Sequence, residues 1–170
     1  MQPYAQGQDE PVVVAQLGRE PRGTWRAIAR CRFGRPTVIE TAPLLADGSP
    51  FPTLYYLTCP WLVEFVSGLE SACAVGEWAD RIAGDPEMAA RLRVADAEYR
   101  ARRARAAGGR DPLPGVGIAG QHDPLATKCL HAHVAARLAC LDDPVGAGVL
   151  ADSPADCPDD LCARFRDDGS

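Results

Sequence analysis

The chain has 170 residues, of which 46% are hydrophobic, 24% charged and 6% aromatic, and its formal net charge is −5. This length supports one ordinary globular core and leaves little room for a second. No apolar run approaches the roughly 20 residues of a membrane span, and the polar start, Met1 to Glu10, lacks the basic and apolar regions of a secretory leader. A cytoplasmic location is therefore expected. Seven cysteines without an export signal point to free thiols, metal ligands or a reactive sulfur rather than a disulfide framework. Residues 151–170 carry six Asp against two Arg. That composition predicts a disordered acidic tail behind a domain over residues 1–150.

In chain order, Asp9-Glu10-Pro11 and the valines that follow open a short helix ending near Gly18, with a strand as the competing reading. Thr24–Cys31, Pro36–Thr41 and Pro52–Thr58 read as strands, being short and rich in Ile, Val, Thr, Tyr and Trp between turn residues. Phe33-Gly34-Arg35-Pro36 reverses the chain between the first two, and Ala46–Pro50 between the second and third. Pro60 then opens a helix bearing Trp61, Leu62, Phe65, Val66 and Leu69 at helical spacing. A shorter helix spans Gly76–Ala83. Asp85-Pro86-Glu87 starts a long one, with Met88, Leu92, Ala95 and Tyr99 as its apolar stripe, running to Gly108-Gly109. Residues 108–121 read as a loop, and Asp123-Pro124 starts a last helix to about Leu141. The fold class expected is α+β, a small antiparallel β-meander packed against three to four helices.

The residues able to carry chemistry are mostly sulfur. Cys59 precedes Pro60 at a predicted helix N-terminus, where unpaired N–H groups favour a thiolate. Cys129 and His133, four apart on the predicted last helix, project from one face, with His131 on the other side. Cys31 ends the first strand just before the Gly34 turn. Cys31, Cys59, Cys129 and His133, or His131 in its place, make up a tetrahedral zinc donor set. An iron–sulfur cluster is a lesser alternative. Cys73 and Cys140 read as packing residues, and Cys157 and Cys162 as incidental members of the tail.

The positive charge is nearly all arginine, with Lys128 as the sole lysine. Arg30, Arg32, Arg35 and Lys128 are candidates for binding an anion, and the Arg-rich helix over 85–107 could dock an acidic partner through Arg91, Arg102 and Arg105. Gly115–Gly120 matches a dinucleotide-binding pattern only loosely, because no strand–turn–helix unit surrounds it. Nucleic acid and membrane insertion are not expected.

The stretches Gln16–Arg19, Arg30-Cys31, Phe51–Pro60 (FPTLYYLTCP) and Lys128–Ala132 (KCLHA) resemble a bacterial, mainly actinobacterial, family named domain of unknown function 501, over about Val12 to Val149. Its usual Gly-Gly-Met-Pro-type stretch is Gly120–Pro124 (GQHDP) here. The family carries no settled activity. The resemblance implies a gene neighbourhood with a septum-formation protein and an exopolyphosphatase/guanosine-pentaphosphate phosphatase, and hence a partner from cell division or phosphate metabolism. It also places Cys31, Cys59 and Cys129 inside family-like motifs. Three functions follow as expectations. The first is a protein holding a zinc ion that ties the sheet to the last helix. The second is a metal-free thiol hydrolase with Cys59 as nucleophile and His133 or His131 as base. The third is an adaptor acting through helix 85–107.

Overall fold

The structure, a computed structural model, describes residues 7–153 and 157–166. Strands β1 (Trp25–Arg30), β2 (Pro36–Thr41) and β3 (Tyr55–Leu57) form an antiparallel sheet in the order β1-β2-β3. This is the expected meander. The turn between β1 and β2 closes through Gly34 N–H to Cys31 O (2.9 Å) and Cys31 N–H to Arg35 O (3.0 Å). Gly34 takes φ +74° there, a left-handed conformation that a residue without Cβ adopts at little cost. Alternation along the strands sends successive side chains to opposite faces. Val38, Tyr55 and Leu57 enter the large core, whereas Trp25 and Ile39 face Val13 of helix α1 (Glu10–Leu17). The helical reading of the valine segment holds, and α1 covers the face of the sheet that the other helices leave open.

Those helices are α2 (Pro60–Ser71), α3 (Ala74–Gly84), α4 (Pro86–Ala106), α5 (Leu130–Leu138) and α6 (Pro144–Ala151). The proline-led starts of α2 and α4 match expectation, and the Asp85 carboxylate caps α4 by accepting from the Glu87 and Met88 N–H groups, both at 3.0 Å. Tyr99 ties α4 to the sheet, its hydroxyl accepting from Leu54 N–H (2.8 Å) and donating to Pro52 O (3.3 Å). Among the described residues no helix is long and apolar enough to cross a membrane.

Three segments differ from the sequence reading. The last helix expected from Asp123 begins only at Leu130. The Asp123 carboxylate caps a single turn, through Leu125 N–H at 2.9 Å, and the chain is extended by Cys129 (φ −147°, ψ 111°). Helix α6 is an addition. Its Asp143-Pro144 start repeats the Asp85-Pro86 signal, but PVGAGVLA has no polar face to reveal a helical period. Its glycines allow close packing: a Cβ at position 146 would lie 2.2 Å from the His133 carbonyl oxygen, and one at 148 would lie 2.1 Å from the Trp78 ring.

The third difference is the acidic tail. Residues 157–166, expected to be disordered, lie against the body. Arg32 donates to the Cys157 and Pro158 carbonyls (2.9 and 3.0 Å), and the Arg35 Nε–H donates to Asp160 (2.9 Å). Cys157 and Cys162 are buried. The acidic excess is thus partly neutralised by the basic β1–β2 turn. The rest of the predicted tail, 154–156 and 167–170, lies outside the described residues.

Candidate metal centre

Helix α2 brings Val63, Ser67 and Glu70 to one side through i, i+4, i+7 spacing, and that side meets the start of α5. The Glu70 carboxylate accepts Leu130 N–H at 2.6 Å, so it satisfies one of the unpaired donors at the helix N-terminus. The same oxygen lies 3.2 Å from His131 Nδ1. Cys129, the N-cap residue of α5, completes the group: its sulfur, an imidazole nitrogen of His131 and a Glu70 oxygen all lie within 4.8 Å of one another. Among the described residues no other set of three Cys, His, Asp or Glu side chains reaches this proximity.

The other ring nitrogen decides what this group can do. His131 Nε2 lies 3.3 Å from the Val63 carbonyl oxygen and 3.3 Å from Ser67 Oγ. A carbonyl only accepts, so Nε2 carries the proton, and the neutral imidazole directs its Nδ1 lone pair at the Glu70 carboxylate. Two acceptors 3.2 Å apart require a positive centre. Without a metal, a second proton on His131 supplies it. Hydrogen bonding to Cys129, followed by that to Glu70, pushes the imidazole up to about 9. A metal ion supplies it equally well. Two N/O ligands about 2.0–2.1 Å from a tetrahedral ion stand roughly 3.4 Å apart, and a ligating histidine characteristically donates its other N–H to a backbone carbonyl.

Cys129 and His131 open onto a cleft of about 470 Å³. Its walls include Tyr55, Tyr56 and Tyr99 from the sheet and α4, with Leu17 and Val63 beside them. Among the described residues, no Arg, Lys, Asp or Glu lines it. The Tyr99 hydroxyl, pushed up to about 12 by burial, stays protonated at neutral pH.

The residues singled out in the sequence are distributed differently from expectation. Cys129 and His131 meet, whereas Cys31 and Cys59 line a separate small pocket. His133 is buried and bonds through Nδ1 to Asp143 at 2.7 Å, the other oxygen of that carboxylate accepting Gly146 N–H at the start of α6 (2.9 Å). The preference for His133 over His131 presumed Cys129 inside a regular helix. As an extended cap residue, Cys129 instead faces the residue two positions on. Cys59 does cap α2, but burial pushes its thiol up, outweighing the Trp61 and Leu62 N–H groups that favour the thiolate. The expected nucleophile is thus a protonated, buried thiol. Cys73 and Cys140 do not pack. Both are exposed, with φ of 66° and 63° at helix ends.

The anion candidates are largely engaged within the chain. Arg30 pairs with Asp9 (2.6 Å), Arg32 and Arg35 hold the 157–160 segment, and Lys128 is exposed beside Cys129. On α4, Arg91 pairs with Asp142 (2.7 Å), while Arg102 and Arg105 share Glu98 (3.0 and 2.8 Å). Glu70 is the site residue that the sequence reading missed. Its signal was position: it follows Val66, the buried residue of α2, by four residues and so lies on the same face of the helix.

A family model described as "Protein of unknown function (DUF501)" matches residues 27–151. The chain belongs to this family. No curated protein and no solved structure matches. The DUF501 match includes Glu70, Cys129 and His131, together with Cys31 and Cys59, and stops before Cys157 and Cys162. Its description carries no activity, so the chemistry of the site rests on its geometry.

Proposed function

We propose that this DUF501 protein binds one zinc ion through Glu70, Cys129 and His131, with a fourth position open to the adjacent cleft. The observation that carries this reading is the placement of the His131 ring, with Nε2 3.3 Å from the Val63 carbonyl oxygen and Nδ1 3.2 Å from the Glu70 carboxylate. One thiolate, one imidazole and one carboxylate suit zinc better than magnesium or calcium, which prefer all-oxygen sites. Three protein ligands and an open position form the pattern of catalytic rather than structural zinc, and a bound ion would act there as a Lewis acid or water activator. The cleft favours an uncharged, partly apolar substrate, since tyrosines and aliphatic side chains line it and the arginines expected to receive a phosphate are engaged elsewhere.

The test is metal content of the full chain purified without chelator, compared with Cys129→Ser and His131→Ala. The expected result is zinc that falls by about one equivalent per chain in each variant, with far-ultraviolet circular dichroism unchanged. Zinc content unaffected by both substitutions refutes the site. A second reading moves thiol catalysis from Cys59 to Cys129, favoured by the Cys129–His131 contact at the start of α5. Protein free of zinc at this site, with Cys129 alkylated much faster than the exposed Cys73 and Cys140, would establish it instead.

A further inference from the structure

Four of the seven cysteines lie away from the candidate centre and line one small pocket. Cys31 comes from the end of β1, Cys59 from the start of α2, and Cys157 and Cys162 from the C-terminal segment. None is in a disulfide. The surrounding polar groups are Gln16, Arg35, Asp160 and the N–H groups of Trp61 and Leu62, with the Asp160 carboxylate already accepting from Arg35 Nε and Nη2. Gln16 Nε2–H already points at the Cys162 sulfur at 3.3 Å. The Trp61 and Leu62 backbone N–H groups at the start of α2 favour an anionic sulfur at Cys59 without making a cap hydrogen bond to the thiol. Two further pocket-lining donors, Arg35 Nη1 and Trp61 Nε1, and one acceptor, Gln16 Oε1, are buried without a hydrogen-bond partner among the described residues, and Arg35 as a whole is only 8% exposed. An unmet buried N–H is costly. A neutral thiol accepts weakly, whereas a metal-bound thiolate is an anion suited to these donors and to the guanidinium charge.

We propose that Cys31, Cys59, Cys157 and Cys162 form a closed four-thiolate zinc site that fastens the C-terminal segment to the sheet and to the start of α2. Four thiols from three separate segments, with no open ligand position, constitute a structural site. No three of the sulfurs lie within 4.8 Å of one another, so ion binding contracts the pocket. Cys157 and Cys162 move inward with the segment that Arg32 and Arg35 hold. The exchange is not redox. Each thiol gives up its proton, so four protons leave for every zinc bound, and the site's net charge of −2 falls beside the Arg35–Asp160 ion pair, whose Arg35 Nη1 makes no hydrogen bond among the described residues. It is separate from the Glu70/Cys129/His131 centre, and each can fail without the other.

The experiment uses the full chain and zinc itself. Wild-type protein is expected to hold about two zinc ions, and a Cys157→Ser/Cys162→Ser double variant about one fewer, the ion it keeps depending on Cys129. Because a variant could lose its fold, wild-type protein is also labelled with a maleimide under native conditions. Cys73 and Cys140 react with or without chelator, and Cys31, Cys59, Cys157 and Cys162 become reactive only after chelation. Substituted cobalt adds a sulfur-to-metal absorption that the double variant lacks in large part. Equal zinc in wild type and double variant overturns the proposal. So does labelling of the four thiols that ignores chelator, or a native mass two hydrogens short that locates a disulfide among them. A zinc ion lost in the double variant but retained in Cys129→Ser supports this site while removing the other.

Discussion

Asp111→Ala is expected to lower the unfolding free energy at pH 7 by about 3 kcal/mol, a fall in melting temperature of about 6–12 °C for a chain of this size. Arg103 of α4 is fully buried, and its guanidinium donates to Asp111 at 2.7 and 2.8 Å and to the Leu113 carbonyl at 2.8 Å. It also donates to the Val116 carbonyl and stands 5.7 Å from the Tyr99 ring centre. This one side chain organises the loop after α4, which contains no regular strand or long helix to satisfy its own backbone. Removing the carboxylate leaves a buried cation with only carbonyl partners, and Leu113 N–H loses its acceptor at 3.0 Å. The side chain of Asp111 is 18% exposed, so the cost sits at the lower end for a buried pair. Arg103 also holds the Asp111 carboxyl below its usual range. A depressed folded value gives stability that is fully present above the unfolded value of about 3.9, and it is lost as pH falls through the folded one. The gap between wild type and Asp111→Ala, measured by urea denaturation across pH, therefore narrows below about pH 4. A gap that persists unchanged into stronger acid would contradict the ion-pair account.

Glu70→Gln is expected to weaken zinc binding at least about 100-fold, more than the loss of an outer-shell partner typically costs. Folding stability should change by less than about 1 kcal/mol. The amide oxygen of glutamine can still accept Leu130 N–H, so the contact that anchors the start of α5 survives. What disappears is the charge that pairs with the metal and faces His131 Nδ1. Glu70 is about a quarter exposed (27%), which limits the stability cost of the exchange. Competition against a zinc-responsive dye, alongside thermal melts of the metal-free proteins, separates the two effects. Equal affinities for wild type and Glu70→Gln would show that Glu70 is a helix cap and not a ligand.

How much of this was legible in the sequence follows from which signals are local. The three strands, the short helix over the valines and the Asp85-Pro86 start all announce themselves within a few residues. The same local signal misleads at Asp123-Pro124, because a cap and a proline favour a first turn without deciding whether apolar periodicity continues it. Helix α6 lacks that periodicity altogether, because PVGAGVLA carries no polar residue to mark a solvent face. For the site, chemistry was easier to read than partnership. Cysteine and histidine stand out as donors, so Cys129 and His131 were among the candidates. Their third partner, Glu70, lies 59 positions before Cys129 and looks like any charged helix residue until α2 is packed on α5. The choice of His133 turned on helical geometry extended one residue too far. The four-thiol pocket was half visible, since Cys31 and Cys59 were grouped together. Cys157 and Cys162 were set aside because an acidic, proline-containing segment reads as disordered, and nothing local reveals that Arg32 and Arg35 hold it.

The most direct test of the Glu70/Cys129/His131 centre is X-ray absorption at the zinc edge, on zinc-loaded protein carrying Cys157→Ser and Cys162→Ser so that one site is observed alone. The account predicts a four-coordinate ion with one sulfur at about 2.3 Å and the remaining nitrogen and oxygen ligands at about 2.0–2.2 Å, the sulfur lost on Cys129→Ser. A shell without sulfur, a shell of sulfur alone, or protein that takes up no zinc would contradict it.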